Sequence, residues 1–285
     1  MSTPDELPPV RSDLAAAVRP RDTLGRSLLF AELAMLSYLG DDDLQTVLAA
    51  YDGETPDAEL IDRDGAQAYL FVTETDRVVA CRGTEPREWN DIKADANAIH
   101  DLAETVGRVH RGFKREVDDL WPCIDERLPD DGKDLWFTGH SLGGAMATIC
   151  ASRCTLSSSQ ISPVEVHTFG SPRVGTKRYV KSADVRHLRW VNNNDIVTKA
   201  PPALFGYRHT GTMRYLDADG RLRSLDDDAR RRDQWEGFVR GLKKRSIDHF
   251  ADHAIVAYVE HIARAVEEGP KARREGLIRR GFRTR

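Results

Sequence analysis

Apolar positions recur at helical spacing between Arg21 and Leu39, where Leu24, Leu28, Ala31, Met35 and Tyr38 share one face. Asp41 to Asp43 can open a second, short helix running to Tyr51. The period then changes. Glu59 to Asp62, Ala66 to Thr73 and Arg77 to Cys81 read as strands separated by turns at Asp64-Gly65 and Thr75-Asp76. The pattern predicts helices over Glu88 to Glu104 and from about Phe113 to Arg127, a short apolar run at Leu135-Trp136-Phe137, and a helix from Ala145 to Thr155. Strands follow at Val164 to Phe169 and His187 to Val191, with a helix at Lys177 to Ser182 between them. Tyr207 to Gly211 and Met213 to Leu216 suggest a hairpin, and Asp226 to Glu268 reads as mostly helical with one interruption near Asp248. Strands alternating with helices in this way predict a three-layer α/β fold, a mostly parallel central sheet flanked by helices. In such sheets sites form at the carboxyl ends of strands.

The stretch with the most chemistry is Thr138-Gly139-His140-Ser141-Leu142-Gly143-Gly144-Ala145, which joins the apolar run at 135–137 to the helix after it. A serine flanked by glycines between a strand and a helix is the pattern of a nucleophile elbow. The glycines allow a sharp turn, because a Cβ at 139 or 143 would collide with the neighbouring strand or helix. The pattern alone is weak, so its context must carry the reading.

A serine hydroxyl attacks at neutral pH only if a base takes its proton, and the base must be held by an acid. In this kind of sheet the order should be serine, acid, histidine. His167 and His187 precede the acid and lie within strands, His209 lies in the expected hairpin, and His261 lies inside the last amphipathic helix beside Ile255, Val259, Ile262 and Val266. That leaves His253 as the base, with His249 as the alternative. Asp252 can cap the final helix and so place His253 at its first turn. For the acid, Asp195 lies just beyond the strand Leu188 to Val191, at the edge expected for Ser141. Asp217 and Asp219, in an Asp-Ala-Asp-Gly turn, are weaker alternatives. An oxyanion needs preorganised donors. The N–H of Leu142 supplies one, and Thr84, in the loop after Val78 to Cys81, offers an N–H and a hydroxyl for the other.

Composition bounds these readings without choosing among them. The 285 residues are 40% hydrophobic and 31% charged, with a net charge of −4, which suits a globular chain and argues against a nucleic-acid partner. The cysteines at 81, 123, 150 and 154 show neither zinc-ligand spacing nor a disulfide framework, and Cys150 and Cys154, one helical turn apart, read as small hydrophobes. With no apolar leader and no membrane-length run, a cytoplasmic setting is expected. Residues 1–20, rich in proline and charge, read as disordered, and 21–268 as one domain. A basic tail over 269–285 has seven Lys or Arg and one Glu from Lys271 on. Leu277, Ile278 and Phe282 among those cations could make weak peripheral contact with anionic headgroups, against the plainer reading of a solvated end.

Taken together, the motifs resemble the class 3 lipase family, α/β-hydrolases typified by secreted fungal triacylglycerol lipases. The resemblance runs in order over about residues 65 to 262: Arg82-Gly83-Thr84, Val109 to Phe113, Gly139 to Ala145, Thr168 to Gly175, Val191 to Asp195 with Pro201-Pro202, and Asp252-His253 with Tyr258. It implies Ser141 as nucleophile, His253 as general base and acid, Asp195 as the orienting carboxylate, and Thr84 with Leu142 as oxyanion donors. It also implies a carboxylic-ester hydrolase acting on acylglycerols or related lipids, with no metal, organic cofactor or obligate protein partner. Phospholipase and short-chain esterase activity use the same triad and stay open. So does a non-catalytic membrane or interaction module built on the same fold. In the family the segment after the oxyanion loop forms a helical lid, here residues 86–108. Trp89, Ile92, Ala96 and Ile99 would then share a face over an acyl groove, unless that helix simply packs on the sheet.

Overall fold

The computed structural model describes residues 7–83, 99–156, 161–183, 185–224 and 251–281, with side chains in those spans except at 155, 251 and 270–281. Its centre is an eight-stranded sheet in the order β1 (Asp57–Arg63), β2 (Ala66–Val72), β3 (Asp76–Cys81), β6 (Asp134–His140), β7 (Glu165–Phe169), β9 (His187–Asn192), β11 (Thr212–Leu216), β12 (Leu222–Arg223). Strands β3, β6, β7, β9 and β11 run parallel, while β1 and β2 at one edge and β12 at the other are antiparallel. The inner strands are buried on both faces, as a covered parallel sheet requires, and their side chains alternate between two cores.

On one face Val78, Ala80, Trp136, Phe169 and Trp190 pack under helices α1 (Thr23–Leu36) and α6 (Ile255–Gly281). On the other, Val79, Cys81, Leu135, Phe137 and Val166 pack under α3 (Arg111–Asp125) and α4 (Leu142–Arg153). These are the expected three layers. Helix α2 (Asp41–Ala50) has its three aspartates in the first turn, where they favour the positive helix end, and α5 (Lys177–Ser182) falls where the sequence places it. Among the described residues no helix is long and apolar enough to cross a membrane.

Five expectations need correction. Helix α1 is buried from Ser27 to Leu36 on all sides rather than along one face. The segment expected to be disordered is the reason: residues 7–20 pack across α1 as a strap, with Leu14 and Val18 buried. Glu32 accepts the main-chain N–H groups of Arg11 (2.7 Å) and Ser12 (3.1 Å), Asp76 accepts that of Val18, and Arg19 forms a forked pair with Asp134.

The hairpin at 207–216 does not form either. Tyr207–Arg208 (β10) pairs with β8 (Gly175–Thr176), whereas β11 joins the central sheet parallel to β9. Nor is the end of the expected 88–104 helix helical. His100–Leu102 is a strand, β4, paired with β5 (Arg108–His110), and β10, β8, β5 and β4 make a second, four-stranded sheet. Finally, the last helix starts at Ile255 and its bounds continue to Gly281, into the basic tail.

Candidate active site

Strand β6 ends at His140, and Ser141 follows with φ 59° and ψ −129°, a left-handed φ rarely adopted by a residue with a Cβ. The turn is held by Ser141 N–H donating to Phe169 O at 3.0 Å. It is possible only with glycine on both sides: a Cβ on Gly139 would meet the main chain of Gly143, and one on Gly143 would meet the main chain of Cys81 at the end of β3. Helix α4 therefore starts directly behind Ser141. Leu142 is its first residue, and the N–H there has no acceptor within the helix. Gly83, just past β3, lies alongside, since a Cβ there would be 3.2 Å from Ser141 Cβ. Thr84, Trp89, Ile92 and His249 lie outside the described residues.

Ser141, Asp195 and His253 come together, from three separate segments. The Ser141 hydroxyl faces His253 Nε2 at 2.9 Å. On the other side of the ring, Nδ1 lies 3.0 and 2.9 Å from Asp195 Oδ1 and Oδ2. Carboxylate oxygens accept, so Nδ1 carries the proton and Nε2 presents its lone pair to the serine. Asp195 also accepts from Val197 N–H (2.9 Å) and from the Tyr258 hydroxyl (2.6 Å), which fixes its plane. All three triad residues are buried.

Asp252 does not cap the final helix. It sits with His253 in a 3₁₀ turn, Ala251–His253, and its carboxylate accepts from Asn193 Nδ2 (3.1 Å) and Asn194 N–H (3.2 Å). Asn192 Nδ2 donates to Asp252 O at 3.0 Å. The loops bearing the acid and the base are thus bound to each other, and burial pushes the Asp252 carboxyl above its ordinary range. The rejected candidates have other work. Asp217 closes its turn by accepting from Asp219 N–H, Arg221 N–H and Arg223 Nε. His209 Nε2 donates to Thr198 O, and His187 is buried between the hydroxyls of Thr168 and Thr210.

Three residues around the triad, Gly170, Tyr38 and His140, had no catalytic role assigned in the reading of the sequence. Gly170 has φ +61°, and a Cβ there would lie 2.7 Å from Asp195 Oδ2 and 2.9 Å from His253 Nδ1. Tyr38 and His140 make a hydrogen-bonded pair against the base, and the position of His140 beside the nucleophile was the only signal for it. Buried His167 bonds Glu165 and Ser27, a serine–histidine–carboxylate set enclosed in the core with no access for a substrate.

A mostly parallel sheet with a serine elbow after a central strand, an acid after a later strand and a histidine after the last one defines the α/β-hydrolase class. Comparison with known proteins agrees. Residues 78–205 match the family model described as lipase (class 3), so this stretch is similar to that family. A secreted mono- and diacylglycerol lipase 1 of Fusarium solani is 40% identical over 149 residues, covering 49% of this chain and 44% of that protein. Phospholipase A1-II 4 of Oryza sativa is 30% identical over 174 residues, covering 50% and 43%. The chain thus spans less than half the length of these curated relatives. The solved structure of lipase II from Rhizopus niveus superposes with a TM-score of 0.54 at 22% identity, over 71% of this chain and 82% of that one, and so shares the fold.

Proposed function

We propose that the protein is a serine carboxylic-ester hydrolase acting on acylglycerols or related lipid esters. The observation that carries this is the continuous line Ser141 Oγ–His253 Nε2 (2.9 Å), His253 Nδ1–Asp195 (2.9 Å), starting from a strained elbow at the head of a helix. Ser141 Oγ attacks the ester carbonyl carbon while its proton passes to His253 Nε2. The tetrahedral oxyanion is held by the N–H of Leu142 and by Thr84. As the intermediate collapses, the C–O bond to the alcohol breaks and His253 returns the proton to the leaving alkoxide. Water, deprotonated by His253, then attacks the acyl carbon; the acyl–Oγ bond breaks, His253 returns the proton to Ser141 Oγ, and the fatty acid leaves. Asp195 keeps the ring in the tautomer that both steps need.

A fluorophosphonate probe tests this directly. It should label the native protein at Ser141, and Ser141→Ala should lose both labelling and esterase activity. A folded, unlabelled protein would reject the reading and favour a binding module on the same fold.

The substrate class is supported by similarity to a mono- and diacylglycerol lipase and a phospholipase A1. A panel of p-nitrophenyl esters of increasing chain length, beside acylglycerol and phospholipid emulsions, separates lipase, phospholipase and short-chain esterase. The groove is proposed to involve Trp89 and Ile92. Residues 21–268 are proposed as one catalytic domain, and the basic segment after it as a weak peripheral contact for anionic headgroups. A reducing, cytoplasmic setting is in keeping with four cysteines that are all free thiols.

A further inference from the structure

His140, directly before Ser141, uses both ring nitrogens. Nε2 lies 2.6 Å from the main-chain oxygen of His253, and Nδ1 lies 2.8 Å from the Tyr38 hydroxyl. A carbonyl oxygen only accepts, so the proton is on Nε2, and Nδ1 accepts from Tyr38. The ring is buried and lies 4.5 Å from the His253 ring at an angle of 34°, covering one face of the base. Burial and the neighbouring His253 both hold the His140 imidazole well below its ordinary pKa, so it stays neutral. That matters because His253 becomes a cation each time it takes the serine proton, and a second cation at this distance would oppose it.

Tyr38 extends the contact further. It follows α1, and its hydroxyl occupies the space that a Cβ on Gly83 would need, where the chain leaves β3 toward Thr84. The pair therefore touches the strand end leading to the oxyanion loop, the residue before the nucleophile, and the main chain of the base.

We propose that His140, braced by Tyr38, is a positioning residue of the hydrolase: it anchors the main chain of His253 to the nucleophile strand and so keeps Nε2 in line with Ser141 Oγ. The inference rests on the ester-hydrolase reading. A buried histidine that only satisfies its own polar atoms would affect stability, whereas a positioning residue sets the rate of proton removal from Ser141. A misplacement of about 1 Å at such a base can cost on the order of 100-fold in rate.

The test measures the second-order rate of fluorophosphonate labelling, together with kcat and KM on a p-nitrophenyl ester and the melting temperature. His140→Leu should lose about 100-fold in labelling rate and kcat, with KM within about threefold of the native value. His140→Gln, whose terminal amide N–H can reach the His253 carbonyl, should recover at least about tenfold of that loss. His140→Asn, which reaches toward Tyr38 but not the carbonyl, should not. A His140→Leu variant that folds and labels within about threefold of the native rate overturns the proposal. If His140→Leu does not fold, the Gln and Asn variants decide, and equal rates in those two overturn it. A native protein that does not label at all instead rejects the underlying ester-hydrolase reading, and this inference with it.

Discussion

The Tyr258 hydroxyl donates to Asp195 Oδ2 at 2.6 Å and accepts the main-chain N–H of Asn192 at 3.0 Å. One side chain on α6 thereby holds the acid and the strand end that delivers it. Because α6 also follows the base, the His253–Asp195 pair is set from both partners' own segments.

Tyr258→Phe should therefore reduce both activity and stability. The phenyl ring refills the space, but Asp195 loses a donor and the Asn192 N–H is left buried without its acceptor, a cost of about 1–3 kcal/mol. We expect kcat to fall about tenfold with KM nearly unchanged, since a charge-assisted hydrogen bond of this kind contributes on the order of 1.5–3 kcal/mol. Urea denaturation and steady-state kinetics check the two effects. An unchanged kcat would show that Val197 N–H and His253 suffice to hold the carboxylate.

Two of the chemistry-bearing residues of this site were legible because they sit just past a strand end, where the apolar run stops and a polar residue stands out. Ser141 after β6 and Asp195 after β9 obey that rule, whereas His253, in the 3₁₀ turn before α6, was reached by chain order and elimination. Their supports were not legible. Gly170 lies in a run of turn residues, and only the packed fold shows that its missing Cβ leaves room for Asp195 and His253. Asp252 has the spacing of a helix cap, yet tertiary contacts with Asn193 and Asn194 claim its carboxylate. The second sheet is built from strands as short as Gly175–Thr176 and Tyr207–Arg208, too short for a period-two pattern. The strap over α1 is held by isolated contacts such as Glu32 to the Arg11 and Ser12 N–H groups, a long-range pairing that composition cannot signal.

Gly170→Ala should damage catalysis more than folding. The left-handed φ of +61° makes any Cβ costly by roughly 1–2 kcal/mol. The added methyl would also sit 2.7 Å from Asp195 Oδ2 and 2.9 Å from His253 Nδ1, so that pair must move apart or shift as a unit. A loss of about 100-fold in kcat is expected, with a modest fall in melting temperature. Full activity in Gly170→Ala would mean the loop can retreat instead of the triad.

Glu32→Gln should loosen the strap and spare the site. Glu32 is fully buried, and each carboxylate oxygen accepts one main-chain N–H. An amide NH₂ in place of one oxygen would face a donor with a donor, leaving an unsatisfied pair worth about 1–3 kcal/mol. Trypsin should then cut more readily after Arg11, read by mass spectrometry, while Ser141 labels with the fluorophosphonate as before. Unchanged cleavage would show that Leu14, Val18 and the Arg19–Asp134 pair hold the strap without Glu32.

Stability should fall as the pH drops below about 6.5, and His187 should account for a measurable part of the slope. Its ring is enclosed between Thr168 Oγ1 (2.8 Å) and Thr210 Oγ1 (2.6 Å). Burial first, then the charges of Arg189 and His167, push its pKa down from 6.5 to about 3. Below the ordinary value the unfolded chain takes up a proton that the folded protein refuses, so the unfolded state binds more protons and stability declines with falling pH. The contribution is fully present above 6.5, is lost progressively through the acid range, and levels off once the pH falls below about 3. A single such group gives a slope approaching ~1.4 kcal/mol per pH unit inside that window. The buried carboxyls of Glu32 and Asp252, raised by desolvation, act in the opposite sense over the more acid part of it. Urea denaturation at pH 7.5, 6 and 5 therefore should show a shallower decline for His187→Gln than for the native chain, though the variant starts from a lower stability at neutral pH. Equal slopes would place the acid sensitivity on buried His140 and His167 and part-buried His209, whose pKa values burial lowers in the same direction.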